Sequence, residues 1–216
     1  YIFIDTAGIR RKSKVEERVE KFSVMRAQLA IERADVCLIL IDGREGVTEQ
    51  DTKIAGLAHE SGKACVVIVN KWEMLEKETG TLEKFKKQVL SDLKFMDYVP
   101  VLFISAKTGQ RANTVLSMVD TVWAQASKRI TTGLLNDILS DAIMDLQPPS
   151  QNGRRLRIYY ATQQSVCPPT FIFFVNDEKL MHFAYQRYLE NYFRKSFDFT
   201  GTPIRMILRE KKKEND

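Results

Sequence analysis

Three short stretches of this 216-residue chain carry residue types, at spacings, that suit work on a phosphorylated ligand. The first is Asp5-Thr6-Ala7-Gly8-Ile9, directly after the apolar run Tyr1–Ile4. A carboxylate at the carboxyl end of a strand can hold Mg²⁺ through a water. A glycine three residues on lets its backbone N–H approach a terminal phosphate without Cβ interference. A strand-ending Asp followed by a turn Gly has the same appearance, so these residues alone leave both readings open. The second stretch is Asn70-Lys71-Trp72-Glu73, after Ala64–Val69. A carboxylate there can accept two parallel hydrogen bonds from a ring N–H and the neighbouring exocyclic amine, the donor pair of guanine. Adenine lacks that pair, so a site built on it discriminates strongly. The third is Ser105-Ala106-Lys107, a polar turn after Val101–Ile104.

The elements that must position these residues follow from the hydrophobic pattern. Tyr1–Ile4, Val36–Ile41, Ala64–Val69 and Val101–Ile104 are Val- and Ile-rich and apolar on both faces, which predicts parallel strands covered on both sides. Ser23–Arg33, Thr48–Ser61, Leu82–Lys94 and Asn113–Ala126 are the helices between and after them. Strand and helix alternating at this spacing predict an α/β layered sheet, whose ligands bind beyond the carboxyl ends of the strands. All three stretches fall there. Gly43-Arg44-Glu45-Gly46 also follows a strand and is predicted to be a turn.

After Thr131 the pattern changes. Leu135, Ile138, Leu139, Ala142 and Leu146 form a helical stripe that stops at Gln147-Pro148-Pro149. Strands are expected at Leu156–Thr162 and Thr170–Asn176, separated by a Cys-Pro-Pro turn. A second helix carries Tyr185, Tyr188, Leu189, Tyr192 and Phe193 on one face, and Ile204–Arg209 is a last strand. The order α-β-β-α-β predicts a small α+β domain over 130–216, following an α/β domain over 1–129. Its sheet is expected to turn Leu156, Ile158, Tyr160, Phe171, Phe173, Val175, Ile204, Met206 and Leu208 toward the helices. Arg157, Tyr159, Ile172, Phe174, Arg205 and Arg209 are expected on the other face.

In this order and with these separations, the three motifs resemble the Era/TrmE-like branch of the translation-factor-related GTPases. The chain is most similar to the EngA (Der) family of ribosome-assembly GTPases, over the second G domain and the C-terminal KH-like domain. Asp5–Lys12, Asn70-Lys71-Trp72, Ser105-Ala106-Lys107 and the α-β-β-α-β tail carry the resemblance. It implies a P-loop-GTPase-type sheet, incomplete at its N-terminus, and nucleotide binding by Asp5, Thr6, Ala7, Gly8, Ile9, Asn70, Lys71, Trp72, Glu73, Ser105, Ala106 and Lys107. Asp5 would meet Mg²⁺ through water, Gly8 would sense the γ-phosphate, and the Ala106 turn would meet guanine O6 while Lys107 flanks the base. GTP or GDP with Mg²⁺ would be the ligand, large-subunit assembly on the ribosome and its rRNA the setting, and GTP hydrolysis the activity.

Several departures shape that expectation. No G-x-x-x-x-G-K-[ST] occurs, so the loop that cradles the β- and γ-phosphates is expected upstream of Tyr1, with the switch Thr and any K⁺ site. The fragment alone is therefore expected to hold no catalytic residue, and neither to bind GTP tightly nor to hydrolyse it. Glu73 stands where the motif has Asp, one methylene longer. Ile9, an aliphatic residue, cannot orient water by hydrogen bonding. Arg10, Arg11, Lys12 and Lys14 offer a contact surface for RNA or a neighbouring domain, or a mobile segment neutralised by Glu16, Glu17 and Glu20. The tail has no G-x-x-G of its own, so RNA gripping by a KH loop loses its usual mechanism. Its second sheet face is expected to dock on a G domain within the same protein, with RNA stacking as the other use. The alternative reading of the whole chain is a non-catalytic RNA- or ribosome-binding module that retains a G-domain scaffold.

Composition limits the remaining options. The chain has 33 basic and 28 acidic residues, too mild an excess to argue nucleic-acid binding by charge alone. Arg205, Arg209, Lys211, Lys212 and Lys213 cluster near the C-terminus, where a charge run is expected to be solvated. No apolar run approaches the roughly 18 residues of a membrane span, and no basic-then-apolar leader opens the sequence. Cys37, Cys65 and Cys167 show no C-x-x-C spacing, and a reducing, cytoplasmic setting is expected.

Overall fold

Strands β1 (Val36–Asp42), β2 (Ala64–Asn70) and β3 (Val101–Phe103) form a parallel sheet in the order β1-β2-β3 in the computed structural model, which describes residues 1–5, 17–76, 78–151 and 153–211. Parallel neighbours need crossovers, and helices supply them: α1 (Glu17–Arg33) precedes β1, α2 (Glu49–Glu60) joins β1 to β2, and α3 (Thr81–Asp92) joins β2 to β3. Helix α4 (Thr114–Ala126) follows β3. Thr48 starts α2 with a reciprocal capping box, its hydroxyl accepting from the Asp51 N–H while the Asp51 carboxylate accepts from the Thr48 N–H.

Residues alternate across this sheet. Ile39, Ile41, Cys65, Val67, Val69 and Phe103 pack into one core with Ile31, Ala55, Ala58, Val89, Leu93 and Met96. Strand β2 is buried on both faces, as its continuous apolar run predicts. Among the described residues strand β1 is an edge strand, and its Leu40 is 57% exposed. The expectation of cover on both sides thus holds for the central strand and fails for this edge. Tyr1–Asp5 also departs from expectation: these residues form no strand and are exposed, Ile2 at 93%. Apolarity permits a strand, but a ladder partner makes one, and among the described residues these five pair with no strand.

The chain divides into two compact units, Tyr1–Ala124 with Gly201–Pro203, and Gln125–Thr200 with Ile204–Asp216. Gly201 completes the first unit: its N–H donates to the Tyr98 carbonyl at 2.9 Å and its carbonyl accepts from the Cys65 N–H at 2.7 Å. A Cβ built on it would lie 2.4 Å from Val122 Cγ2, and its φ is +76°, so glycine is required twice over.

In the second unit, β6 (Ile158–Ser165), β7 (Thr170–Val175) and β8 (Arg205–Glu210) form a sheet in that order. β6 and β7 are antiparallel, while β7 and β8 are parallel. Helices α5 (Thr132–Asp145) and α6 (Phe183–Phe197) contribute Leu135, Leu139, Tyr185, Leu189 and Phe193 to the core that holds Phe171, Phe173 and Val175. A two-residue ribbon, β4 (Ser150–Gln151) with β5 (Arg154–Arg155), precedes β6. The expected α-β-β-α-β order is therefore present, with this ribbon added.

Polar groups in this core are paired. The Tyr185 hydroxyl donates to the Leu146 carbonyl at 2.9 Å, just past the end of α5, and that of Tyr188 to the Ala142 carbonyl at 2.7 Å, which also accepts from the Leu146 N–H at 3.1 Å. Burial pushes the Tyr185 hydroxyl up to about 12. Asn136 hydrogen-bonds both backbone groups of Ala161, its Oδ1 accepting at 2.8 Å and its Nδ2 donating at 2.9 Å. That side chain acts as a ladder partner for the open edge of β6.

One facing prediction is corrected. A register irregularity between Ile158 and Tyr160 turns Tyr160 to the outer face, opposite Phe174, where the two rings stack at 4.3 Å. Ala161 and Gln163 take the core side, and Gln163 is satisfied by donation from the Ile130 N–H at 2.7 Å and its own donation to the Lys128 carbonyl at 2.9 Å. A bulge shifts the alternation by one, which sequence periodicity does not register. The outer face thus carries Tyr160, Ile172, Phe174, Arg205, Ile207 and Arg209.

Candidate nucleotide-base site

Two loops at the carboxyl ends of β2 and β3 bring together most of the predicted base-reading residues. Asn70 ends β2, and its Oδ1 accepts from the Ala106 N–H at 3.0 Å. The same loops are tied by backbone, since the Trp72 N–H donates to the Ile104 carbonyl at 3.1 Å and the Ile104 N–H to the Val69 carbonyl at 2.9 Å. Asn70-Lys71 and Ser105-Ala106-Lys107 are therefore one cluster.

Within it the residues divide by burial. Ser105 is fully buried, and its Oγ accepts from the Thr108 N–H at 3.1 Å, so its hydroxyl shapes the turn. Ala106 and Lys107 are exposed. Trp72 is 4% exposed, its ring packed 4.5 Å from Phe103 and 5.7 Å from Phe85. It anchors the short 3-10 turn Trp72–Met74 in the core. Glu73 sits on that turn, half-buried, with Oε2 withdrawn from solvent.

Lys71 lies between the two loops' functions. Its backbone is left-handed, φ 62° and ψ 30°, a conformation that costs an L-residue roughly 1–2 kcal/mol. Its ammonium is 2.6 Å from Asp42 Oδ2. Asp42 ends β1, in register with Asn70, and its side chain is only 3% exposed. Arg44 donates to the same carboxylate from its backbone N–H at 3.0 Å and from its guanidinium at 3.4 and 3.2 Å. Arg44 first, and Lys71 with it, hold the Asp42 carboxyl well below the usual carboxylate range. Between them Gly43 donates its N–H to the Asn70 carbonyl at 2.8 Å, and a Cβ on Gly43 would lie 3.0 Å from that oxygen.

Sequence reading placed Gly43–Gly46 correctly in a turn, with the Glu45 and Gly46 N–H groups donating to the Asp42 carbonyl. It missed Asp42 and the contact that the turn makes with Asn70-Lys71. The signal was a strand-ending Asp opposite the strand-ending Asn of the neighbouring parallel strand.

The phosphate-side prediction rests on Asp5-Thr6-Ala7-Gly8-Ile9. Asp5 is exposed, and Thr6, Ala7, Gly8 and Ile9 lie outside the described residues, as do Arg10, Arg11, Lys12, Lys14 and Glu16. Mg²⁺ takes about six oxygens. Among the described residues no three His, Cys, Asp or Glu side chains converge on one position.

A parallel sheet with the predicted base-reading loops clustered beyond its strand ends, followed by a small α+β unit, defines a G-domain scaffold joined to a KH-like domain. Residues 20–125 match the elongation factor Tu GTP-binding domain, and residues 129–209 match the KH-domain-like C-terminal domain of EngA bacterial GTPase enzymes. The chain is 60% identical over 214 residues to the GTPase Der of Acetivibrio thermocellus, covering 99% of this chain and 49% of that protein. It is 59% identical over 215 residues to the GTPase Der of Ruminiclostridium cellulolyticum, covering 100% and 49%. The chain belongs to the Der (EngA) family, and it spans about half the length of the curated relatives it matches.

Proposed function

We propose that the first unit reads the guanine base of GTP or GDP and that the protein is a GTPase acting in ribosome assembly. The observation that carries this is the Asn70 Oδ1 to Ala106 N–H bond, which joins the two predicted base-reading loops beyond the ends of β2 and β3. Glu73 accepts the two guanine donors, Lys71 and Lys107 flank the base, the Ser105-Ala106-Lys107 turn, held by the Ala106 N–H to Asn70 bond, faces guanine O6, and Trp72 and Ser105 hold the turns. Asp5, through water on Mg²⁺, with Thr6, Ala7, Gly8 and Ile9, serves the phosphate side, with K⁺ as an accompanying cation. The division into a G domain over 1–129 and a KH-like domain over 130–216 belongs to the same reading.

The large ribosomal subunit and its rRNA are the proposed partners, in the cytoplasm. Free Cys37, Cys65 and Cys167 accord with a reducing compartment, and among the described residues no helix is long and apolar enough to cross a membrane. The outer face of the KH-like sheet, where Tyr160, Phe174 and Ile207 are half-exposed around a buried Ile172, docks on a G domain of the same protein, because apolar side chains of this size favour burial.

A fluorescent guanine nucleotide tests the reading. The 216-residue chain is expected to bind it weakly, with sub-micromolar binding contradicting the assignment of the phosphate-holding groups to residues upstream. A polypeptide extended upstream to the relatives' length is expected to bind it tightly, with GTP but not ATP competing. Equal competition by ATP contradicts the base assignment.

A further inference from the structure

We propose that Asp42 is the positioning residue for Lys71, a role that rests on the guanine reading and goes beyond the motif residues. Asp42 is the only charged residue that is buried among the described residues. Burying a carboxylate is costly unless it is paired and hydrogen-bonded. Here the pairing is shared between Arg44 of the same turn and Lys71 of the neighbouring loop that carries the base-reading motif. The Lys71 ammonium lies 2.6 Å from Oδ2, while Arg44 holds both carboxylate oxygens from the other side.

Lys71 is thereby fixed at both ends. Its backbone is left-handed, and the Gly43 N–H holds the carbonyl of Asn70 just before it at 2.8 Å. Its ammonium is anchored on Asp42, yet its side chain remains 35% exposed. A lysine stem held in this way presents a fixed apolar edge to a planar base, with no rotamer entropy left to lose on binding. The β1 tip, Asp42-Gly43-Arg44, is thus a buttress that prepares the base platform before ligand arrives. Arg44 neutralises the carboxylate on the solvent side, so that Lys71 need not carry the whole charge.

The test is a double-mutant cycle on the polypeptide extended to the relatives' length, read as the release rate of a fluorescent GDP analogue. Asp42→Asn keeps the shape and loses the charge, and is expected to speed release about tenfold. Lys71→Met is expected to speed it at least as much, and Asp42→Asn added to Lys71→Met is expected to change it little further. The preference for GDP over ADP should survive in Asp42→Asn, because Glu73 is untouched. Release from Asp42→Asn at the wild-type rate overturns the role. So does an undiminished effect of Asp42→Asn in the Lys71→Met background, since that marks general support of the fold. An unsubstituted protein that binds ADP as well as GDP overturns the base reading and this role with it. A folding defect cannot mask the answer, because the 216-residue chain gives a second measurement. Its Lys71 ammonium is expected to give a slowly exchanging ¹⁵N signal that Asp42→Asn abolishes, and a signal unaffected by that change overturns the pairing.

Discussion

Asn70 Oδ1 accepts a hydrogen bond from the Ala106 N–H at 3.0 Å, across 36 residues of sequence and between two separate strand ends. The side chain of one motif thereby fixes the backbone of the other. Under the proposed base-reading role, neither loop then has to be ordered by the ligand alone, and the ordering cost of binding falls accordingly. Asn70→Ala removes the acceptor and leaves the rest of β2 in place. The Ala106 amide should exchange its hydrogen at least several-fold faster in the 216-residue chain. Overall stability should fall by only about 1 kcal/mol. An unchanged exchange rate at Ala106 would show that the bond does not order the turn.

Gly201 has no room for a side chain. Alanine there places Cβ 2.4 Å from Val122 Cγ2 and 3.1 Å from the Cys65 carbonyl, at a φ of +76°. Overpacking and left-handed strain each cost about 1–3 kcal/mol. Gly201→Ala should lower the urea midpoint of the first unit markedly. Adding Val122→Ala should recover the steric part but not the part due to φ. A variant as stable as the parent would contradict the close approach.

Tyr185 gives the second unit a pH response on the alkaline side. Its hydroxyl is pushed up to about 12 by burial first, with the neighbouring Tyr188 adding to the shift. An exposed tyrosine in the unfolded chain titrates near 10. The native state therefore holds this proton more tightly between about pH 10 and 12. Stability from this group is fully present below pH 10 and is lost as pH rises toward 12. Tyr185→Phe should be less stable than the parent at pH 8, and the gap should narrow from pH 10 upward. Denaturant midpoints across that range measure it, and a constant gap would argue against the raised titration.

Asp42 gives the opposite limb. Arg44 and Lys71 hold its carboxyl below the usual range, so its contribution is present above about pH 4 and is lost as pH falls through the folded value. Asp42→Asn should flatten part of the acid-side loss of stability. Parallel acid profiles for the two proteins would contradict the ion pairing.

Much of this was legible in the sequence because single elements carry strong local signals. β2 is a continuous run of buried Ala, Cys, Val and Ile, and no other element fits it. The tyrosine stripe of α6 likewise leaves only one face for the core. What escaped depended on partners elsewhere in the chain. Tyr1–Ile4 has a strand's composition without a strand's ladder. Tyr160 has a core residue's parity until the irregularity after Ile158 reverses it. Helix α1 begins at Glu17 rather than Ser23, in a polar stretch where apolar periodicity says little. Asp42 belongs to no four-residue pattern, and only the parallel register that sets it beside Asn70 gives it a role.

The central proposal is that Glu73, on the turn that follows Asn70-Lys71, reads guanine. Replacing its carboxylate by an amide, Glu73→Gln, removes one acceptor and supplies a donor. Guanine's two donors are then poorly met, whereas the C2 carbonyl of xanthine gains a partner. Competition against a fluorescent guanine nucleotide, in the polypeptide extended to the relatives' length, measures this directly. The unsubstituted protein should prefer GDP over XDP and ADP, and Glu73→Gln should shift that preference toward XDP by at least about tenfold. Unchanged ranking of GDP, XDP and ADP in Glu73→Gln would contradict the claim.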